Sequence, residues 1–333
     1  MATPYPVQYR RGIHLPEVGL WLDPRERRDL AVVSHAHGDH IARHEEVVCT
    51  EPTYRILVHR TARRRKVSQG RLLAYAECAE VGEAEVSLHP AGHVLGSAQV
   101  LVRHRGVRVL YSGDIRLRGG RTAEPLEHVE ADVLIVESTF GRPQYRFPDP
   151  ATVVAAICDF CVAVVAAGGV PVLLGYSLGK GQELLACLSE AGMPIVLHPS
   201  LHAVTEIYRG LGVSLPPAHC WNGSANVPAG AVLIWPPHLR SVASLRGLAG
   251  ARVACVTGWA VERDYALHMG VDAAFALSDH ADFDELCTYV ERSRARLVYT
   301  VFGKAEDFAH QLRRRGLEAH ALAADQQLTL ALA

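Results

Sequence analysis

The chain has almost no net charge, little lysine and few of the bulky side chains that usually fill a core. Its 333 residues include 34 Lys or Arg and 35 Asp or Glu, a formal net charge of −1. That balance excludes a protein that holds nucleic acid or anionic membrane by its overall field, so any such partner has to meet a local patch. Lysine is confined to Lys66, Lys180 and Lys304. The positive charge is therefore nearly all arginine, whose planar fork suits phosphate. No uninterrupted apolar run reaches the roughly 20 residues of a membrane span. The most apolar stretch, Val153 to Leu174, is broken by Asp159, Gly168, Gly169 and Pro171. Arg10 and Arg11 are followed by no apolar segment, so a signal peptide is not expected and a cytoplasmic location is. The cysteines lack framework spacing. Cys158 and Cys161 lie within an Ala/Val-rich helical run without a second pair, and read as core packing rather than redox or metal chemistry.

What is present is a globular composition, 49% hydrophobic and 21% charged, over a length that suits one large domain or two ordinary ones. Histidine is in surplus: 18 residues against 3 Met and 7 Phe is more imidazole than packing requires. Strand-like segments before about residue 150 read as antiparallel pairs, such as Val100 to Leu110 turning at Gly106. Later ones alternate with helical patterns as βαβ units, which makes the chain α/β overall. Helices are expected over Ala151 to Ala167, Lys180 to Ala191, His202 to Leu211, Asp282 to Ser293 and Ala305 to Arg315. The proline-rich stretch Arg142 to Pro150 marks a domain boundary.

The strongest chemical signal is Leu30 to His40, LAVVSHAHGDH, a buried strand running into a loop with His35, His37, Asp39 and His40. In an extended segment residues i and i+2 point the same way. His35 and His37 can therefore reach one metal ion, while Asp39 and His40, past the turn at Gly38, face another. A polar loop with unrelated histidines is the bland alternative. It is disfavoured because further ligand types close later strands, His93 in HPAGHVLGSAQ and Asp114 in VLYSGDI. Taken singly, either would read as a surface or turn residue.

The order H-x-H-x-D-H, then His93, then Asp114 resembles the metallo-β-lactamase fold. VESTFG (Val136 to Gly141), a long insert, LSDHAD (Leu277 to Asp282) and VYTVFG (Val298 to Gly303) resemble the β-CASP nuclease branch of that superfamily. With GLWLDP ahead of the histidine motif, nearly the full chain is similar to the bacterial ligase-associated DNA exonucleases. The resemblance implies an αββα sandwich from residues 1–145 and 263–333, with a β-CASP α/β domain, 146–262, inserted. It implies His35, His37 and His93 on one Zn²⁺, Asp39 and His40 on a second, and Asp114 bridging both, with Mn²⁺ as the alternative ion. Asp23 would brace the histidine loop. Beside Asp39, Glu137 and His280 would be catalytic, the carboxylate orienting an imidazole that protonates the leaving oxygen.

The implied activity is 5′-to-3′ hydrolysis of single-stranded DNA, in repair with an ATP-dependent DNA ligase and a helicase, without a membrane. An RNA-processing nuclease of the same fold is the alternative. RNA-directed members of the branch carry a histidine before the last motif's glycine, completing the second metal site. Here Gly303 is preceded by Phe302, and DNA-directed relatives commonly have an apolar residue at that position. The departure favours DNA and implies a weaker second metal position, one that fills with substrate present.

An acid-free stretch, Pro52 to Ala76, follows the metal loop and carries Arg55, Arg60, Arg63, Arg64, Arg65, Lys66 and Arg71. It is expected to guide phosphates toward the site, a solvated helix face being the alternative. Arg116, Arg118 and Arg121 form a second basic cluster. GYSLGKGQELL (Gly175 to Leu185) sets glycines and Lys180 ahead of a helix, a natural phosphate cradle, but Gly181 breaks the spacing of a nucleotide P-loop. The resemblance makes Ser177 and Lys180, with Ser138 and Ser278 beside the acid pair, the candidate substrate contacts.

Overall fold

The structure, a computed structural model, describes residues 5–61, 68–223, 227–240, 245 and 247–322. They form two compact units. One combines the chain up to Gly119, Ala123–Tyr145 and the part from His280 onward; the other combines Gly120–Thr122 with Arg146–Asp279.

The first unit holds two sheets, with strands numbered here in chain order. In the first sheet β1 (Gln8–Tyr9), β2 (Ile13–Leu15) and β3 (Leu20–Leu22) pair antiparallel, and β4 (Leu30–Val32), β5 (Glu46–Cys49) and β6 (Gln69–Leu72) continue in parallel. The early strands are thus not simply antiparallel pairs. Long connections, including α1 (Glu51–Thr61) between β5 and β6, bring the chain back before each new strand, which parallel pairing requires. In the second sheet β7 (Cys78–Val81), β8 (Ala84–Pro90), β9 (Ala98–His104) and β10 (Val107–Tyr111) meander antiparallel. The β9–β10 turn puts Arg105 and Gly106 at positive φ, 48° and 79°. Strands β11 (Val133–Glu137), β18 (Leu297–Val301) and β19 (Glu318–Ala321) then add in parallel.

The central strands of this second sheet are apolar on both faces because both are covered. Val109 and Ile135 point into a core shared with Ile13, Leu22, Val32 and Val48 of the first sheet. Leu110 and Leu134, one residue along, point to the other face, where Phe283, Leu286, Tyr289 and Phe308 cover them. Those four side chains come from the helices Phe283–Ser293 and Ala305–Arg314.

The second unit is a six-stranded, all-parallel sheet in the order β14 (His219–Cys220), β13 (Ile195–Leu197), β15 (Val232–Trp235), β12 (Val170–Leu174), β16 (Ala251–Val256), β17 (Ala273–Phe275). Helices α2 (Pro150–Ala166), α3 (Lys180–Glu190) and α4 (Pro199–Gly210) alternate with its strands. Asp149 caps α2 by accepting the Thr152 N–H at 3.1 Å, with Pro150 in the first turn. Helix α4 begins earlier than the apolar periodicity suggests, at Pro199, because His198 accepts the Ser200 N–H and the proline suits a first turn. The unit also runs past 262 to Asp279, since β17 pairs with β16. Burial, with Cys158 adding, pushes the Cys161 thiol up to about 12, and every cysteine is free, consistent with packing rather than redox work. Among the described residues no helix is long and apolar enough to cross a membrane.

Candidate metal centre

Strand direction gathers the site. Strands β10, β11 and β18 are parallel, and β8 lies two antiparallel steps from β10, so these four run the same way. Glu137 ends β11, and the segments leaving the C-terminal ends of the other three carry His93, Asp114 and Phe302. The loop after β4 is joined to them by a hydrogen bond from the Ala98 N–H to the Ser34 carbonyl, 2.9 Å. Close approach of the loops requires Gly113, at φ 57°: a Cβ there would stand 3.0 Å from the Ser34 side chain.

Four ligand atoms converge within this unit. His37 Nδ1 lies 3.1 Å from His35 Nε2 and 3.0 Å from His93 Nε2. Asp114 Oδ2 lies 3.4 Å from His35 Nε2 and 3.7 Å from His93 Nε2. A tetrahedral ion with bonds near 2.0–2.1 Å sets its ligands about 3.3–3.4 Å apart, so the set fits one divalent cation. The chemistry points the same way, because three imidazole nitrogens facing one another beside a carboxylate in a largely buried site make a donor set suited to a cation. Burial, reinforced by His40, His37 and His93, holds His35 well below the usual imidazole range, in the neutral form a metal needs.

A second position adjoins the first through Asp114, whose Oδ2 is also 3.4 Å from His40 Nε2. Burial and the nearby carboxylate charges raise Asp114 to about 6 against the opposing pull of His40 and His280. The His40 ring is fixed by Asp23 Oδ2, which accepts from Nδ1 at 2.8 Å. Asp23 is itself buried and accepts from the Ser34 N–H (2.7 Å), the Ser34 hydroxyl (2.5 Å) and the Tyr111 hydroxyl (2.8 Å). Burial would depress His40, but Asp114 and the bond and charge of Asp23 push it up to about 9. Asp39 stands apart. Its Oδ2 is 3.9 Å from His40 Nε2, its side chain is 64% exposed, and among the described residues it joins none of the ligand groups that draw within 4.8 Å.

Beside the first position sits a second kind of pair. Glu137 is fully buried at the end of β11, and its Oε1 accepts from the Ile115 N–H and from His280 Nδ1, both at 3.0 Å. Thr139 N–H donates to Oε2 at 3.2 Å. Burial alone would raise Glu137, but the charge and hydrogen bond of His280 together with these donors lower it, so it stays ionised. The His280 ring stands 4.6 Å from that of His93. Glu137, His280 and Asp114 form a further close group of potential ligand atoms.

The expected substrate contacts divide. Ser138 is buried, and its hydroxyl lies within bonding distance of the carbonyls of Val301 and Phe302, at 2.9 and 2.8 Å. Lys180 is 1% exposed; its Nζ donates to the Leu277 carbonyl at 2.7 Å and pairs with Asp279 at 3.4 Å. In this structure each is enclosed with backbone carbonyls in reach. Ser177 is half-buried, 3.0 Å from the Ser200 hydroxyl, and Ser278 is buried. The second basic cluster is also committed: Arg118 to Asp282 and Glu285, Arg121 to Glu190. Arg63, Arg64, Arg65 and Lys66 lie outside the described residues. Tyr111 and Ser34, which support Asp23, carry no marker in the sequence except their position beside the ligand motifs.

No family model matches the chain. It is 42% identical over 331 residues to a protein of Opitutus terrae named probable DNA ligase, covering 99% of this chain and 32% of that protein. It is 27% identical over 208 residues to an RNase J-like protein of Methanocaldococcus jannaschii, covering 54% of this chain and 49% of that one. Shorter stretches match proteins named RNase aCSPSF2 and endoribonuclease ysh1. The chain thus spans about a third to a half of the length of its first two relatives. In fold it is similar to a crystal structure of a protein of unknown function from Enterococcus faecalis V583, with TM-score 0.58, 15% identity, and coverage of 84% of this chain and 76% of that one. What the chain is similar to is, in the main, a set of proteins named as nucleases, and this kinship supports the β-CASP branch of the metallo-β-lactamase superfamily.

Proposed function

We propose that the chain is a metal-dependent DNA exonuclease, acting 5′ to 3′ on single strands and leaving a 5′-phosphate and a 3′-hydroxyl. The first unit would be the metallo-β-lactamase sandwich and the second the β-CASP domain. The observation that carries the reading is the contact between two chemistries, a largely buried three-histidine, one-aspartate candidate ligand set and a carboxylate-oriented imidazole 4.6 Å from one of its rings.

Zn²⁺ suits this nitrogen and oxygen donor set, with Mn²⁺ as the alternative. Two divalent ions, when bound, would neutralise the scissile phosphate and supply a water that ionises near neutral pH. His35, His37 and His93 would hold one ion, His40 and Asp39 the other, with Asp114 shared. Asp23 keeps the His40 ring oriented. Glu137 accepts from Nδ1 of His280, so Nε2 would deliver the proton that the leaving 3′-oxygen needs. Half-buried Ser177 and buried Ser278 are the proposed substrate contacts.

Phe302 before Gly303 supports DNA over RNA, as does the ligase name of the Opitutus relative. Action in the cytoplasm with an ATP-dependent DNA ligase and a helicase rests on that name and on the family resemblance. RNA processing is the second reading, favoured by the relatives named as ribonucleases. A time course on DNA and RNA strands of one sequence, labelled at either end, with Zn²⁺ or Mn²⁺, separates them. Early release of the 5′ label from DNA is expected. Faster cleavage of RNA would overturn the substrate assignment, and no cleavage of either strand by metal-loaded protein would overturn the nuclease reading.

A further inference from the structure

We propose that Arg25 is a positioning residue that holds the Asp39 carboxylate outside the second metal position, so that an ion binding there has to take Asp39 from a guanidinium. The inference rests on the two-ion reading above.

Arg25 is anchored at both ends. Its N–H donates to the Arg11 carbonyl at 2.6 Å, and its Nε donates to the Asp39 carbonyl at 2.7 Å. The guanidinium then lies with Nη2 3.9 Å from Asp39 Oδ2. On its other side is the Phe302 ring, 6.0 Å from the guanidinium carbon, and that ring packs edge-on to His40 at 5.4 Å and to Tyr9 at 6.0 Å. Phe302 keeps this place with a left-handed backbone, φ 63°. Asp39 Oδ2 is therefore equidistant, 3.9 Å, from a fixed cation and from the His40 nitrogen that would bind metal.

The two tethers act differently when an ion arrives. The carboxylate can swing toward His40, but the bond from Nε to the Asp39 carbonyl keeps the guanidinium where it is. The ion then meets both a lost pairing and a positive charge that stays. An exposed pair of this kind is worth no more than about fivefold in an equilibrium. Repulsion from the fixed charge adds to it and is screened by salt, for a combined effect of about three- to thirtyfold. Arg11 and Arg28 pair with Glu26 and Arg27 with Glu45; Arg60, whose guanidinium lies beside Gly38, also feels the Asp39 charge, but Arg25 is the one tethered to the Asp39 main chain.

The test is calorimetric titration of the full, metal-freed chain with Zn²⁺ or Mn²⁺ at low and high salt, comparing wild type, Arg25→Ala and Arg25→Lys, with Arg27→Ala as control. The first ion should bind alike in all four. The second should bind about three- to thirtyfold tighter in Arg25→Ala, the gain shrinking at high salt. Arg25→Lys, which keeps the charge without the fork, should fall between and guards against a folding artefact in the alanine variant. A second ion that binds Arg25→Ala equally or more weakly than wild type overturns the proposal, whereas a single ion in both proteins overturns the two-ion reading on which it rests. Wild-type protein that binds no ion overturns the two-ion reading itself.

Discussion

Asp23→Asn is the sharpest probe of how the centre is held. The change is nearly isosteric, and the backbone at φ 45° lies in the left-handed region that Asn adopts readily, so the main chain has no reason to move. Only the charge and one acceptor are lost. In the native protein Oδ1 takes the Ser34 N–H and Oδ2 takes two hydroxyls and His40. The Asn carbonyl oxygen can replace Oδ2, which turns the amide nitrogen toward the Ser34 N–H, donor against donor. Leaving that buried N–H unsatisfied costs about 1–3 kcal/mol, and weakening the charge-assisted bond to His40 adds about 1, for a total of roughly 2–4 kcal/mol. Hydrogen exchange followed by mass spectrometry over residues 30–40 should then show the Ser34 amide exchanging about 30- to 1,000-fold faster, since each 1.4 kcal/mol is a factor of ten. Affinity for an ion at His40 should fall about 10- to 100-fold, as is usual when a ligand's supporting carboxylate is removed. Exchange at Ser34 within threefold of wild type, with unchanged metal affinity, would refute the reasoning.

Four further outcomes follow from the same geometry. His280→Ala should lower turnover about 10²- to 10⁴-fold while metal stoichiometry, measured by emission spectrometry, stays at the wild-type value; loss of metal would instead make His280 a ligand. In metal-free protein His40 is raised above its unfolded value near 6.5, so its contribution is fully present below that pH and is lost as pH rises through about 9, an effect on the order of 3 kcal/mol readable by denaturant titration. The same proton must leave before an ion binds Nε2, so affinity at that position should rise up to about tenfold per pH unit between pH 7 and 9, and a flat profile would contradict the assignment. Phe302→His places an imidazole where a ring already lies 5.4 Å from His40, and it should tighten the second ion in a competition assay with a chelator; no change would show that the 302 side chain does not reach the ion.

The candidate metal ligands were legible because their chemistry is local. His35, His37 and His40 crowd one loop, and His93 and Asp114 each close an apolar run, so residue type and strand end together give them away. Glu137 and His280 were legible only through the family resemblance, for a carboxylate at a strand end and a histidine ahead of a helix are ordinary features when read alone. The parallel course of β4 to β6 left no periodicity, since alternation along a strand reports which side chains are buried and nothing about the neighbour's direction. The second unit's end at Asp279 depended on β17, a strand of three residues too short to announce itself.

The sequence by itself determined the α/β class, most of the helices and the candidate ligand types, because hydrophobic period and side-chain chemistry are properties of short windows. Tertiary structure decided how each charged group is used. It put Asp39 beside Arg25, enclosed Lys180 against Leu277 and Asp279, and spent Arg118 and Arg121 on carboxylates far away in the chain. An electrostatic partner is chosen by distance in space, the attraction weakening as 1/r and more steeply where solvent and salt screen it, and separation along the chain carries no information about it.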